Sequence, residues 1–153
     1  MARQKRTVGS ILEIDIDGEY YAYAQILTEA DCAFFDFKSD TKLKDIKILE
    51  TVSILFIIAV YTNVITSGRW VKIGKLPIRP ELLVKPMKFI QDFQKPTVFE
   101  FYDPNTGKIS PANKNEIIGL ERASVWADVH AEGRIRDHYN GIPNVWVERF
   151  KLL

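Results

Sequence analysis

The chain has 153 residues, 46% of them hydrophobic and 27% charged, with 21 basic side chains against 20 acidic. A single domain of that length buries roughly two-thirds of its unfolded surface, so it needs neither a disulfide nor a metal to fold. High apolar content with a net charge of +1 excludes a disordered chain and argues against a general polyanion binder, while Cys32, the only cysteine, excludes a disulfide-stapled module.

At the N-terminus the basic stretch Met1–Arg6 is followed by Thr7-Val8-Gly9-Ser10 and no apolar core, so secretion by a signal peptide is not expected. Ile11–Ile16 alternates, with Leu12, Ile14 and Ile16 on one face and Glu13, Asp15 and Asp17 on the other. Asp17-Gly18 predicts a type I′ hairpin, because both central positions of that turn require positive φ. A two-residue turn sets Ile14 opposite Tyr21 and Leu12 opposite Tyr23, with Glu13 and Asp15 facing solvent. A one-residue change of turn inverts that pairing.

Further strands are expected at Cys32–Phe37, Ser53–Tyr61 and Trp70–Leu76. The charge-free run Thr51–Gly68 has only eight densely apolar residues, Ile54–Tyr61. A spanning helix needs about 20, so the run reads as a strand buried on both faces. Pro77, Pro80, Pro86 and Pro96 punctuate a stretch not expected to hold a central strand, since proline donates no ladder hydrogen bond. Val98–Tyr102 and Lys108–Ser110 form a second expected hairpin around Pro104-Asn105-Thr106-Gly107.

A helix is predicted over 128–140. Asp128 is its expected N-cap, Gly141 its left-handed terminator, and Ala131, Ile135 and Tyr139 its core-facing stripe. Glu132 and Arg136 have i,i+4 spacing. Asn144–Leu152 reads as a closing strand, with Val145 and Val147 on one face and Trp146 on the other. Ile outnumbers Leu by 18 to 11 and there are 18 aromatic residues, a balance that favours pleated sheet. The expected fold is one α+β domain over 1–153: a mostly antiparallel, strongly twisted or barrel-like sheet with a C-terminal helix at about 128–140.

No motif with catalytic or nucleotide-binding spacing is present. Gly68–Lys75 resembles a phosphate loop only superficially, because five residues separate its glycines and Leu76 stands where the metal-binding hydroxyl belongs. Cys32 lies beside Ala33, Phe34 and Phe35, where burial raises a thiol pKa and suppresses its reactivity. His130, Arg134 and His138 share one helix face, yet eight residues of helix separate the histidines by about 12 Å, too far for shared metal ligation. A polar face with Asp137 paired to Arg134 is the simpler expectation. No catalytic residue, cofactor or metal site is assigned.

Charge is distributed unevenly. Ser10–Asp40 holds eight acidic residues and one lysine, whereas Arg69–Lys95 holds seven basic and two acidic. The two stretches either face each other or present separate solvated surfaces, and an acidic stretch also steers a basic partner. On that pattern Glu13, Asp15 and Asp17 are the candidate partner-binding residues.

Several segments together resemble the immunity protein 26 family of bacterial polymorphic-toxin systems: Val8–Ile14, Asp17–Ile26, Ala33–Phe37, Ile54–Tyr61, Gly68–Pro77 and Trp126–Gly141. Ala24 departs from the glycine expected in the family. The resemblance implies a small cytoplasmic α+β protein that binds and neutralises a cognate toxin without catalysis. It transfers no defined set of contact residues and says nothing of oligomeric state. Two other readings stay open: a β-barrel module binding nucleic acid through the basic 69–95 segment with Trp70 and Phe89, and a small enzyme built around His130 and His138.

Overall fold

The computed structural model describes residues 2–151, so Met1 of the basic N-terminal stretch and Leu152 of the expected closing strand lie outside the described residues. Strand β1 (Ser10–Ile16) turns into β2 (Tyr20–Ile26), and β3 (Asp31–Ser39) follows. A 3-10 turn, Ile46–Thr51, leads into β4 (Ile54–Val60), the short helix α1 (Thr62–Thr66) and β5 (Val71–Lys75). A second group then runs β6 (Lys88–Gln91), β7 (Phe99–Tyr102), β8 (Ile109–Ala112), α2 (Lys114–Ile117) and β9 (Glu121–Arg122). The chain returns through β10 (Val125–Trp126) to α3 (Asp128–Asn140) and α4 (Val145–Arg149).

The fold is α+β with two mixed sheets. One is six-stranded in the order β10-β4-β3-β2-β1-β5, the other four-stranded in the order β8-β7-β6-β9. Among the described residues only the two-residue strands β9 and β10 pair in parallel; the other pairings are antiparallel. Neither sheet closes into a barrel. Among the described residues no helix is long and apolar enough to cross a membrane.

The first hairpin has positive φ at both Asp17 and Gly18, as its sequence predicts. Its register differs from the expected one. Ile16 accepts the turn bond from the Glu19 N–H at 2.9 Å yet pairs in the ladder with Tyr20, so one extra residue is accommodated as a bulge. Ile14 therefore faces Ala22 and Leu12 faces Ala24, while Tyr21 and Tyr23 fall opposite Asp15 and Glu13. The result is a compact aliphatic face: Leu12, Ile14 and Ile16 pack with Ala22, Ala24, Phe34 and Trp70 beneath α3.

The opposite face is also covered. Ile11, Tyr23 and Phe35 pack there against Leu49 of the 3-10 turn and Leu76. Covering both faces explains why β4, an interior strand, has no exposed residue. It also explains a difference at Glu13, which is 6% exposed and not solvent-facing.

Three further expectations are corrected. The proline-punctuated stretch does contain a central strand: β6 occupies the proline-free residues 88–91 and pairs with both β7 and β9. Its prolines stand outside the ladder, so the donor argument constrains them and not the residues between. Helix α3 spans 128–140 as expected, but its N-cap is Ala127, one residue before the expected Asp128, which takes the first helical position, while Gly141 ends it at φ +68° as expected. Residues 145–149 form the helix α4 and not a strand, because the Asn144 side chain accepts from the N–H groups of Trp146 and Val147, both at 3.0 Å. Trp146, Val147 and Phe150 thereby pack on the main core.

Cys32 is fully buried on β3, and burial pushes its thiol up from 9.0 to about 12. The native thiol is therefore expected to resist a maleimide at pH 8 and to react as soon as the chain unfolds in denaturant. Because the unfolded thiol releases its proton at lower pH than the native one, this group's contribution is complete below about pH 9 and is lost as pH rises toward 12. Alkaline titration followed by circular dichroism checks the sign. Modification of the native thiol as fast as a free one contradicts its burial.

Candidate functional site

The first hairpin projects its turn toward α3. Asp17 is bound there by Arg136, whose Nη2 donates to Oδ1 at 3.0 Å. Asp15 is exposed, and its Oδ1 accepts from the Gly18 N–H at 2.7 Å, which braces the turn from below. Glu13 accepts from the Tyr23 hydroxyl at 2.8 Å and from the Leu43 N–H at 3.0 Å. Burial, followed by that bond to Glu13, pushes the Tyr23 hydroxyl well above the ordinary tyrosine value.

All three acids line one open cleft of about 530 Å³, together with Lys42, Arg69 and Glu132. Asp15 and Asp17 are its exposed carboxylates, and Glu13 is an internal fastener. Arg69 is committed to the cleft wall: its Nε and Nη2 donate to Glu132 at 2.9 and 2.8 Å, and its Nε lies 3.2 Å from Asp128. Glu132 also accepts from the Trp70 indole N–H at 2.8 Å. The i,i+4 pair expected between Glu132 and Arg136 is thus replaced by two longer-range pairs, Glu132 to Arg69 and Arg136 to Asp17.

The helix face of His130, Arg134 and His138 is divided among different neighbours. His130 stacks on Trp146 with ring centroids 4.2 Å apart, whereas His138 Nε2 lies 3.3 Å from Asp36. Arg134 pairs with Glu121 through two bonds of 2.9 and 3.1 Å, not with Asp137, and its guanidinium lies 3.9 Å from the Phe56 ring centroid. Asp137 accepts instead from the Asn144 amide at 2.9 Å. Burial alone would raise the Glu121 carboxyl, but the Arg134 bonds and the nearby Lys88 outweigh it and hold the group below its ordinary value. Among the described residues no group of three or more His, Cys, Asp or Glu is placed to hold a metal.

The basic 69–95 segment is largely consumed inside the fold. Lys85 Nζ donates to Asp31 Oδ2 at 2.7 Å in a buried pair, Lys88 Nζ donates to the Ile57 carbonyl at 2.9 Å, and Lys72 Nζ donates to Thr7 at 3.0 Å. Trp70 and Phe89 are 0% and 1% exposed, so neither ring is accessible for stacking on a base. The charge asymmetry of the sequence is therefore resolved in part by the two segments facing each other, through Asp31 and Lys85.

Residues 7–98, 92 of the 153, match immunity protein 26. The chain belongs to the immunity protein 26 family. Among curated proteins and among solved structures nothing matches. The family match spans β1–β5, α1 and β6, and so includes every strand of the larger sheet except β10. The remaining strands of the second sheet and helices α2–α4 lie beyond it, as does Trp126–Gly141, one of the segments carrying the sequence resemblance. The hairpin acids of this immunity protein fall inside the matched residues, while Glu132, which lines the cleft, and Arg136, which binds Asp17, fall outside.

Proposed function

We propose that the protein is a cytoplasmic immunity protein of a bacterial polymorphic-toxin system, which binds a cognate toxin and neutralises it by blocking its active site or substrate path. Membership of the immunity protein 26 family over the residues that build the larger sheet is the observation that carries this reading. Blockade needs only a specific interface of about 800 Å² on each partner, with no chemistry supplied by the inhibitor.

The acidic hairpin supports a particular mode. Asp15 and Asp17 stand exposed at a turn braced from within by Glu13, Tyr23 and the Gly18 N–H. Fixed carboxylates at the rim of a cleft attract a basic toxin surface and raise the association rate. In this mode Asp17 exchanges its exposed contact with Arg136 for one with the toxin. Glu13 acts from within the cleft by holding the hairpin in shape.

The test is co-expression and binding with the toxin encoded beside this protein. Wild type is expected to rescue cells from the toxin and to co-purify with it. The double variant Asp15→Lys/Asp17→Lys is expected to slow association about tenfold and to weaken its dependence on salt. Association that is unchanged by charge reversal and insensitive to salt removes the hairpin from the interface.

A further inference from the structure

Seven residues, 92–98, join β6 to β7. They are held by bonds within the loop and from its flank. The Asp92 N–H donates to the Val98 carbonyl at 3.0 Å, and the Val98 N–H donates to the Lys95 carbonyl at 2.9 Å. Asp92 Oδ1 accepts from the N–H groups of Gln94 and Lys95 at 2.9 and 2.7 Å, and the Gln91 amide donates to the Pro96 carbonyl at 2.8 Å. This braced loop presents Phe93 with 96% of its surface exposed, and Val98 on the same loop is 44% exposed.

Folding gains almost nothing from Phe93, since burial is where an aromatic side chain contributes its free energy. A loop already fixed by five hydrogen bonds loses little freedom when it docks, so most of the gain from burying the ring is kept as affinity. Large aromatic side chains inserted in partner pockets are among the residues that dominate interface energies. Lys95 stands exposed on the same loop and selects for a negatively charged neighbour.

We propose that the Phe93 loop is an anchor, inserted into an apolar recess of the toxin whose rim carries a carboxylate facing Lys95. The proposal rests on the immunity reading, and names a contact separate from the acidic hairpin. Affinity for the purified toxin, measured by calorimetry, tests it with wild type, Phe93→Ser and the exposed-surface control Val145→Ser. Phe93→Ser is expected to weaken binding roughly 10- to 100-fold, with its denaturant midpoint unchanged and the control binding like wild type. Equal affinity of Phe93→Ser and wild type overturns the anchor alone. A change confined to self-association in sedimentation also overturns it, by making a second copy the occupant. Wild type that does not bind the toxin overturns the immunity reading and the anchor together.

Discussion

Replacing Asp31 by alanine is expected to lower the unfolding free energy by about 3–5 kcal/mol. Asp31 and Lys85 form a buried ion pair at 2.7 Å, and among the described residues the only other acceptor the ammonium reaches is the Thr28 carbonyl at 3.2 Å. Deleting the carboxylate strands a cation away from water, which costs far more than the pair itself contributes. The double variant Asp31→Leu/Lys85→Met removes both charges and is expected to recover most of the loss. The pair also has an architectural role. Asp31 belongs to β3 of the larger sheet, while Lys85 lies three residues before β6 and is clamped to the second group by Asn105, which accepts from its N–H at 2.7 Å and donates to its carbonyl at 2.9 Å. Together with the Lys88 bond to Ile57 it fastens the two sheets where their apolar clusters are separate. We take the chain to be one cooperative domain, so urea unfolding should show a single transition in wild type and an earlier midpoint in Asp31→Ala. An unchanged midpoint in the single variant contradicts this role for the pair.

Trp70→Ala is expected to cost about 3–5 kcal/mol, the range for deleting a large buried aromatic. The indole is fully buried, meets Phe34 edge-on with centroids 5.6 Å apart, and donates to Glu132 of α3 at 2.8 Å. One side chain thus fills the space under the sheet and fixes the helix that carries Arg136. Trp70→Phe separates the two contributions: it keeps much of the volume but loses the donor, so a loss of about 1–3 kcal/mol is expected. The Arg69 bonds to Glu132 survive that change. Denaturant midpoints of the two variants measure the difference, and a Trp70→Phe midpoint equal to that of wild type would mean that the indole bond contributes nothing.

What could be read from the sequence is what short-range rules govern. Alternation in Ile11–Ile16 identified the buried side of β1, Asp17-Gly18 identified the turn, and the Ala131, Ile135 and Tyr139 stripe with Gly141 identified α3. Register was less secure, because one bulge residue at Glu19 moves Tyr21 and Tyr23 to the other face while the local pattern stays the same. Helix α4 departs from the sequence expectation because Val145, Trp146 and Val147 favour strand, whereas the Asn144 cap and packing on the core decide for helix. At the candidate site, Glu13, Asp15 and Asp17 were visible as an acidic series and do line one cleft. Their division into one buried fastener and two exposed carboxylates was not visible, since it depends on Leu43 and Tyr23 covering Glu13. Arg136 bonds to Asp17 from 119 positions away and Arg69 bonds to Glu132 from 63 away, so no spacing rule reveals them. Asp31 and Lys85 are the exception, because the opposed charge of their segments was a signal of a long-range pair.

Direct titration of the protein into the purified toxin, with toxin activity followed in the same samples, tests the central claim. The account predicts saturable binding at a fixed stoichiometry, with activity lost in proportion to complex formed and the toxin left chemically intact. Full toxin activity in the presence of excess protein, or a toxin inactivated by covalent change, would contradict it.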